Sequence, residues 1–287
     1  MPEDSVRNEI HMSETNVKNE IQMPVPVGPL PTLPSKGNMA RLQGNRIAVS
    51  IFFDQYKNQA AGLDAIRGDA ENIKRVLEDK LKFRYKFPSE SDPTLFEPHQ
   101  FENQGKLVAT FREFLEKWTE RQPKGTVVDT FLLYVHGHGA QVLGEQCLFT
   151  NKWTAIPLRE LVNLIAEYVR PIRYYVIMDC CSNTKIVDEK AKKRVDEAVS
   201  MQKPTDFEDR LIEVYAAPAG YTATAATGKT LTSALVAVLE DSRKKGEVGI
   251  PMMELEGRLI EKHYTQESTN KPSVRFRSKQ VGRLFPL

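Results

Sequence analysis

Apolar segments alternate with amphipathic ones along most of this chain, and this alternation constrains the fold more than any other feature. Arg46–Phe53, Asp129–Val135 and Arg173–Asp179 are apolar runs without polar alternation, which is typical of strands buried on both faces. Gly105–Gln122 and Ile156–Val169 carry apolar residues at helical spacing. Strands that alternate with helices are joined by parallel crossovers. We therefore predict an α/β fold, a three-layer α/β/α sandwich with a mostly parallel central sheet.

The same patterns predict further elements along the chain. Three more helices are expected at 68–81, 230–245 and 251–264. Three more strands are expected at 83–87, 211–219 and 273–278. Residues 182–210 break the alternation, because they are highly charged and hold only scattered apolar side chains.

Residues 1–44 differ from the rest of the chain. They are polar and then Pro-rich, with too few large apolar residues for a core, so we predict a disordered or extended leader. Within it, the segment Val6–Met12 recurs as Val17–Met23, at an offset of 11 residues. This repeat is interpreted either as a local duplication or as a short linear motif for a partner.

Composition restricts the partners and the compartment. With 40 basic and 38 acidic side chains the net charge is +2, which gives no reason to expect nucleic acid or an anionic membrane as a partner. The 3 cysteines are an odd count, and Cys180 and Cys181 are adjacent, so a disulfide framework is not expected. The first residues contain no apolar h-region, so no signal peptide is expected, and no apolar run approaches the length of a membrane-spanning helix. We expect a cytoplasmic protein, with a nuclear one as the alternative.

Two predicted strands end in residues with catalytic potential. One runs into His136-Gly137-His138-Gly139, and the other into Asp179-Cys180-Cys181. Sites in open α/β sheets form beyond the carboxyl ends of strands, so neighbouring strands would bring a histidine and a cysteine together. A thiol needs a nearby imidazole to become a catalyst, and glycines let backbone N–H groups approach an oxyanion.

Other interpretations of these residues remain open. Two histidines and two cysteines are a possible zinc site, although H-x-H and C-C are poor matches to the usual ligand spacing. The cysteines are alternatively inert and buried beside a core histidine. Their place at strand ends, rather than inside strands, favours a functional role.

The order strand, Gly-His-Gly, helix, strand, Asp-x-Cys resembles the caspase-like cysteine peptidases, closest to metacaspases and paracaspases. The residues that carry it are Asp129–Gly139 and Tyr175–Cys181, with support from Leu63–Ile73 and from 212–235. The resemblance spans roughly residues 46–285 and implies a cysteine endopeptidase acting on protein or peptide substrates. It implies His138 and Cys181 as the catalytic pair, and the N–H groups of Gly139 and Cys181 as oxyanion donors.

The resemblance also bears on specificity. Caspases that cleave after Asp carry a pocket arginine where this chain has Leu63, whereas metacaspases and paracaspases place two acids at the positions of Asp69 and Asp179. A buried carboxylate pair needs a cation, which arginine or lysine of a substrate supplies. We therefore predict Asp69 and Asp179 as substrate-binding residues and cleavage after Arg or Lys. Asp69 is alternatively a helix N-terminal acid, and Asp179 a polar strand end.

Some residues depart from the metacaspase pattern. Ser182-Asn183-Thr184 follows Cys181 where metacaspases have His-Ser-Gly, which puts the geometry of that turn in doubt. Calcium-dependent metacaspases have an acid-rich loop after Gly-His-Gly, but here residues 140–153 hold one acid, Glu145. Asp188 matches one calcium-ligand position, and a single acid makes no calcium site. We therefore expect no metal and no cofactor.

The resemblance divides residues 45–285 into a large-subunit-like part (45–181), a charged linker (182–210) and a small-subunit-like part (211–285). Basic residues in this linker are predicted sites of self-cleavage of a zymogen, namely Lys190, Lys192, Lys193, Arg194 and Lys203. The linker is alternatively a solvated helix with i,i+4 ion pairs. A homodimer is possible.

Two other functions stay open at this stage. A catalytically weak homologue would act as a scaffold or regulator of related proteases, which the altered turn after Cys181 suggests. A separase-like or bacterial-type peptidase of the same clan is the third possibility.

Overall fold

The structure is a computed structural model that describes residues 45–53, 65–81, 84–86, 104–150, 152–181, 189–200, 210–217, 230–263, 273–276 and 284–286. The predicted leader with its repeat, the turn at 182–184 and Asp188 lie outside these residues.

A six-stranded sheet forms the centre of the fold. Its strands lie in the order β10-β8-β7-β3-β1-β2, and all neighbours are parallel except β10, which runs antiparallel to β8 at one edge. The strand bounds are β1 Asn45–Phe52, β2 Arg84–Lys86, β3 Val128–His136, β7 Arg173–Asp179, β8 Leu211–Tyr215 and β10 Ser273–Phe276. The predicted mostly parallel sheet is confirmed.

Helices cover both faces of this sheet. On one face, apolar side chains of α2, α3 and α4 join the core, and on the other face those of α1, α5 and α6 do so. The helix bounds are α1 Ala65–Arg75, α2 Gln104–Glu120, α3 Leu158–Tyr168, α4 Glu189–Ser200, α5 Leu231–Lys244 and α6 Met252–His263. These three layers confirm the predicted sandwich.

Strand β1 explains why its sequence lacks polar alternation. Ile47, Val49 and Ile51 belong to one core cluster, whereas Ala48 and Phe52 belong to the cluster on the opposite face. Successive side chains of a strand point to opposite faces, so a strand covered on both sides is apolar throughout. Burial of each large apolar side chain contributes about 1.5–3 kcal/mol to folding.

The first helix is longer than predicted and ends differently. It begins at Ala65 rather than at Gly68, and after Arg75 it continues as a π-helical turn, Val76–Lys80. The Leu81 N–H donates to the Val76 carbonyl at 3.0 Å, which is the i→i+5 bond of that turn. Ile73, Val76 and Leu77 are buried, so the wider turn keeps the apolar stripe on the core.

The sequence analysis predicted no strand or helix in residues 140–153. A small antiparallel sheet lies there, formed by β4 Gly139–Val142, β5 Glu145–Phe149 and β6 Ala155–Pro157. The β4–β5 turn has φ of 51° at Leu143 and 81° at Gly144, which is typical of a two-residue hairpin turn. A leucine in that conformation is uncommon, so the turn gives a weak sequence signal. The pair β9 Gly249–Pro251 and β11 Leu284–Pro286 was also not predicted.

Part of the charged segment 182–210 is helix α4. One face of α4 packs in the interior through Ala191, Val195 and Ala198. Ion pairs lie on its surface, with Lys192 Nζ 2.5 Å from Glu189 Oε1 and Lys193 Nζ 3.9 Å from Glu197 Oε1. The interpretation of this stretch as a helix with ion pairs is therefore correct for Glu189–Ser200, and the helix is packed as well as solvated.

Candidate active site

The carboxyl ends of β3 and β7 lie side by side in the central sheet. The two strands pair in parallel, with His136 opposite Asp179 as the last pair of the register. Beyond it, the Gly137 N–H still donates to the Asp179 carbonyl at 3.4 Å. The His-Gly-His-Gly and Asp-Cys-Cys segments therefore leave the sheet next to each other, as the sequence predicted.

Strand alternation directs the residues at these two strand ends towards different faces of the sheet. His136 follows Leu132 and Tyr134, and Asp179 follows Tyr175 and Ile177, all of which belong to the core cluster under α1, α5 and α6. Cys180 belongs to the opposite cluster, under α2, α3 and α4. The period of two thus directs His136 and Asp179 towards one layer of helices and Cys180 towards the other.

The three cysteines have different environments. Cys147 and Cys180 are buried, whereas Cys181 is partly exposed. Burial raises the pKa of the Cys147 thiol to about 12 and, together with the neighbouring Cys181 and Asp179, raises that of Cys180 well above its usual value. A thiol that is buried and protonated is a poor nucleophile.

Gly139 brings the histidine segment against the cysteine segment. A Cβ atom at this position would lie 2.6 Å from Cys180 Sγ, 2.8 Å from the Cys181 carbonyl oxygen and 2.9 Å from the Cys147 carbonyl oxygen. Only glycine allows so close an approach. Residue 139 therefore fixes the separation between the loop that carries His138 and the loop that carries Cys181.

The imidazole of His138 stacks on an indole that the sequence analysis did not select. The ring centroids of His138 and Trp153 are 5.2 Å apart, with an interplanar angle of 27°. The backbone N–H of Trp153 donates to the Thr150 carbonyl at 2.8 Å, and this hydrogen bond holds the turn that carries the indole. Burial lowers the pKa of His138, so its neutral form is favoured. The sequence around Trp153 contains no recognisable motif, and its place beside His138 depends on a hairpin that was not predicted.

Gln146 of β5 holds the backbone at the second cysteine. Its Nε2 donates to the Cys181 carbonyl at 3.0 Å and lies 3.5 Å from Cys180 Sγ. Gln146 is buried, so these hydrogen bonds are shielded from water. Sequence reasoning missed this residue for the same reason as Trp153.

The hairpin register orients the N–H group of Gly139. The Phe149 N–H donates to the His138 carbonyl at 2.9 Å, while Gly139 lies opposite Leu148. Gly139 and Leu148 therefore form a non-hydrogen-bonded pair, in which the N–H groups point away from the partner strand. The Gly139 N–H consequently points away from β5.

Asp69, His136 and Asp179 form a buried cluster, which we call the acid–imidazole cluster. One ligand-type atom from each residue lies within 4.8 Å of the others. His136 Nε2 is 3.9 Å from Asp179 Oδ2, and His136 Nδ1 is 3.4 Å from the hydroxyl of Tyr134. The two acids that the sequence analysis assigned to substrate binding thus lie together.

The N-terminus of α5 holds both carboxylates of this cluster. Thr232 donates to Asp179 Oδ2 through its backbone N–H at 2.8 Å and its hydroxyl at 2.6 Å. The hydroxyl of the N-cap residue Thr230 donates to Asp69 Oδ2 at 2.6 Å, and the Ser233 hydroxyl donates to Asp69 Oδ1 at 3.3 Å. Carboxylates are stabilised at this end of a helix by the free N–H groups and by the helix dipole.

The carboxyl group of Asp69 is less acidic than a solvated one. Burial raises its pKa, and the nearby Asp179 acts in the same direction, whereas the Thr230 hydrogen bond and His136 oppose the rise. A cation placed between the two acids would reverse the effect of burial, because it favours the charged carboxylates.

His136 is the member of this cluster that sequence reasoning passed over. The sequence analysis gave it no role in the proposed chemistry, but the register places it directly opposite Asp179. The sequence did hold a signal for this pairing, because His136 and Asp179 are the last residues of two buried strands and each lies two residues after a core side chain of the same face. The sequence did not fix the register between these strands, so the pairing was not visible.

Comparison with known protein families gives a match over most of the chain. A family model described as the caspase domain matches residues 45–280. The chain belongs to the caspase domain family of cysteine peptidases. Comparison with curated proteins found no significant match.

Solved structures support the fold of this caspase-family chain. Caspase-1 from Spodoptera frugiperda superposes with a TM-score of 0.57 at 13% identity, covering 91% of this chain and 98% of that one. A protein from Geobacter sulfurreducens superposes with a TM-score of 0.55, also at 13% identity, covering 83% and 97%. Among the described residues, no helix combines the length and apolar character that crossing a membrane requires.

Proposed function

We propose that this caspase-family chain is a cysteine endopeptidase that cleaves its substrates after arginine or lysine. The observation that carries the proposal is the register of β3 with β7, because His138 and Cys181 each follow, by two residues, a member of the acid–imidazole cluster at the ends of these paired strands. This register supports a nucleophile with its base, and a pocket for a cation, at the same edge of the sheet.

The proposed chemistry uses the partly exposed thiol. His138 accepts the proton of Cys181, and the thiolate sulfur forms a bond to the substrate carbonyl carbon. The N–H groups of Gly139 and Cys181 hold the resulting oxyanion. The carbon–nitrogen bond then breaks as the imidazolium gives its proton to the leaving amine, and water hydrolyses the thioester.

The orientation of Gly139 supports its role as an oxyanion donor, because its N–H points away from β5. The exposure of Cys181 supports its choice over Cys180, which is buried. Trp153 and Gln146 act as positioning residues, since Trp153 stacks on the His138 ring and Gln146 holds the Cys181 carbonyl.

Asp69 and Asp179 are the proposed contacts for the substrate cation. Among the described residues, the basic side chain within 4 Å of Asp179 is the His136 imidazole, at 3.9 Å, and no lysine or arginine takes that place. A guanidinium or ammonium group of the substrate would supply the missing positive charge, and a guanidinium would do so with paired hydrogen bonds.

The endopeptidase proposal is tested with short reporter peptides that end in Arg, Lys, Asp or citrulline before the scissile bond. We expect turnover after Arg and Lys, none after Asp, and loss of turnover in Cys181→Ala. Cys180→Ala is the matched control and should keep activity. Equal residual turnover in wild type and Cys181→Ala would overturn the proposal.

The pocket assignment is tested separately, with Asp69→Asn. Citrulline has the shape of arginine without its charge. We expect kcat/KM for the Arg peptide to fall by ~10²-fold, which corresponds to about 2–3 kcal/mol of lost charge-assisted binding. Activity on the citrulline peptide should change much less. An unchanged Arg-to-citrulline ratio would contradict the pocket while leaving the catalytic pair in place.

Self-cleavage in the linker remains a prediction, and the structure narrows where to look for it. Lys190, Lys192, Lys193 and Arg194 lie within α4, whereas Lys203 lies outside the described residues. A protease binds an extended chain, so cleavage inside α4 requires the helix to unfold first. Mass spectrometry of the stored wild type and of Cys181→Ala would locate the cut. A fully intact yet active wild type would exclude self-cleavage as a requirement.

A homodimer also remains a prediction. Strand β10 lies at the edge of the central sheet, and an edge strand can pair with a second copy. Light scattering of the purified chain would decide between a monomer and a dimer.

A further inference from the structure

The acid–imidazole cluster has the chemistry of a metal site as well as that of a pocket for a substrate side chain. We propose that Asp69, His136 and Asp179 bind a divalent cation of the zinc class. The sequence analysis expected no metal, and its open alternative of a zinc site used the cysteines. The proposed site contains no cysteine and lies on the opposite face of the sheet from Cys180.

The position of His136 is the first reason. Its ring is almost fully buried, with 3% of the residue exposed. Nδ1 lies 3.4 Å from the Tyr134 hydroxyl, so Nε2 is the nitrogen that faces the carboxylates. Nε2 is 3.9 Å from Asp179 Oδ2, which is too long for a hydrogen bond. A buried imidazole nitrogen therefore points at a carboxylate without bonding to it, and an ion between them would satisfy both.

The spacing of the three ligand atoms fits such an ion. Zinc binds nitrogen and oxygen ligands at about 2.0–2.2 Å in tetrahedral geometry, which places neighbouring ligand atoms roughly 3.3–3.6 Å apart. The atoms of the cluster all lie within 4.8 Å of one another. Closing on a metal thus requires shifts of roughly 1 Å, which side-chain rotations provide.

The surrounding hydrogen bonds resemble those that support ligands in metal sites. Metal-bound imidazoles and carboxylates are usually held by hydrogen bonds to their other atoms. Tyr134 lies against the outer nitrogen of His136, and Thr230 holds Asp69. Among the described residues, Thr232 holds Asp179 through two hydrogen bonds to Oδ2.

The charge of the cluster also favours a cation. Two buried carboxylates lie close together, and within the described part of the chain the basic side chain within 4 Å of Asp179 is the His136 imidazole. Unpaired buried charge is costly, and the partial positive charge of the α5 N-terminus offsets only part of two acids. A dication would neutralise both carboxylates at once.

The donor set selects the class of metal. One imidazole and two carboxylates suit zinc and neighbouring transition metals, whereas calcium and magnesium prefer a shell of oxygens. Three protein ligands leave a further position for water or a ligand, as in open zinc sites. The metal would occupy the space proposed for the substrate cation, so it would compete with an arginine side chain. That competition rests on the proposed function, whereas metal binding itself does not.

The experiment uses the full chain with Cys181→Ala, which removes the accessible thiol. Zinc is titrated calorimetrically into this protein and into versions that also carry His136→Gln, Asp69→Asn or His138→Gln. We expect one zinc per chain, at least ~10-fold weaker binding with His136→Gln or Asp69→Asn, and a change below ~3-fold with His138→Gln. Cobalt(II) in the same protein should show no thiolate-to-metal band.

Two results would overturn the metal proposal: no zinc binding to the Cys181→Ala protein, or binding that survives both His136→Gln and Asp69→Asn. Thermal melting shows whether each variant is folded, and the two variants lie on different elements, so misfolding of one leaves the other as a test.

Competition is measured in the same Cys181→Ala protein, with an Arg-terminated peptide. Weakened zinc binding supports a shared pocket. Unchanged zinc binding would refute the competition and leave the metal site standing.

Discussion

The paired strands β3 and β7 carry a buried acid at each end, and the two acids have different partners. At the amino end, Asp129 is buried and takes the guanidinium of Arg173, whose Nη2 lies 2.6 Å from Oδ1 and 2.7 Å from Oδ2. At the carboxyl end, Asp179 is equally buried but is held by Thr232 and faces His136. Asp129 is thus paired with the positive charge of an arginine, whereas Asp179 has hydrogen-bond donors and a nearby imidazole.

This difference distinguishes a carboxylate that stabilises the fold from one that can bind a ligand. A carboxylate paired internally with arginine has no need of a ligand, and it fixes the register where the strands begin. A carboxylate whose hydrogen-bond donors, among the described residues, are an N–H group at a helix N-terminus and a hydroxyl group still attracts a cation. The burial of an acid therefore does not reveal its role, whereas the identity of its partner does.

The largest expected effect concerns catalysis at the carboxyl end. We expect His138→Ala to lower kcat by ~10²–10⁴-fold, because the thiol loses its proton acceptor and the leaving amine its donor. The melting temperature should stay close to that of the wild type, since the ring is only half buried. A loss of stability without a loss of kcat per folded molecule would place His138 among the structural residues instead.

Replacement by asparagine should affect mainly stability at Asp129 and mainly activity at Asp179. Asp129→Asn removes the charge that pairs with Arg173 and should destabilise the fold by about 3 kcal/mol, without changing kcat/KM per folded molecule. Asp179→Asn should change the free energy of unfolding by only about 1 kcal/mol, because an amide oxygen still accepts from Thr232, while kcat/KM for Arg peptides falls.

Denaturant unfolding and peptide kinetics of both variants would test this contrast. The exposed pair of Arg75 with Glu240, 3.0 Å apart, provides the control. Glu240→Ala should cost no more than about 1 kcal/mol. If Asp129→Asn proved equally mild, the distinction between the two ends would fail.

A steric test addresses the close approach at the carboxyl end. Gly139→Ala would place a Cβ within 2.9 Å of two carbonyl oxygens and within 2.6 Å of Cys180 Sγ. We expect a loss of about 1–3 kcal/mol in stability and a lower kcat, because the two loops must separate. Gly257→Ala in α6, where no atom beyond the neighbouring helix backbone lies within 4 Å of the added carbon, is the control and should stabilise by about 0.5–1 kcal/mol.

The smallest expected effect is that of Gln146→Ala. Loss of its hydrogen bond to the Cys181 carbonyl should cost about 1 kcal/mol in stability and lower kcat by no more than ~10-fold. KM should change little, because Gln146 positions the nucleophile and does not line the acid–imidazole cluster. Gln122→Ala, which removes a hydrogen bond to the Trp118 carbonyl far from the site, should leave kcat unchanged. A matching loss of kcat in both variants would refute a positioning role for Gln146.

Much of the fold could be predicted because the layers impose their periods on the sequence. The runs that form β1, β3 and β7 are apolar throughout since helices cover both faces, and α2 and α3 carry clear helical spacing. The hairpin β4–β5–β6 could not be predicted, since its strands are short and its turn has Leu143 at positive φ. Trp153 and Gln146, which that hairpin positions, were missed with it.

The sequence alone determined that histidines and cysteines stand at the ends of two buried strands, because both runs stop at polar residues. It also pointed to Asp69 and Asp179, although only through a family resemblance. The tertiary structure decided which side chains share a space. The register of β3 with β7 placed His136 opposite Asp179, and α5 closed the cluster with its N-terminus. Register and helix packing are long-range properties, so no local pattern could have placed an imidazole beside the two acids.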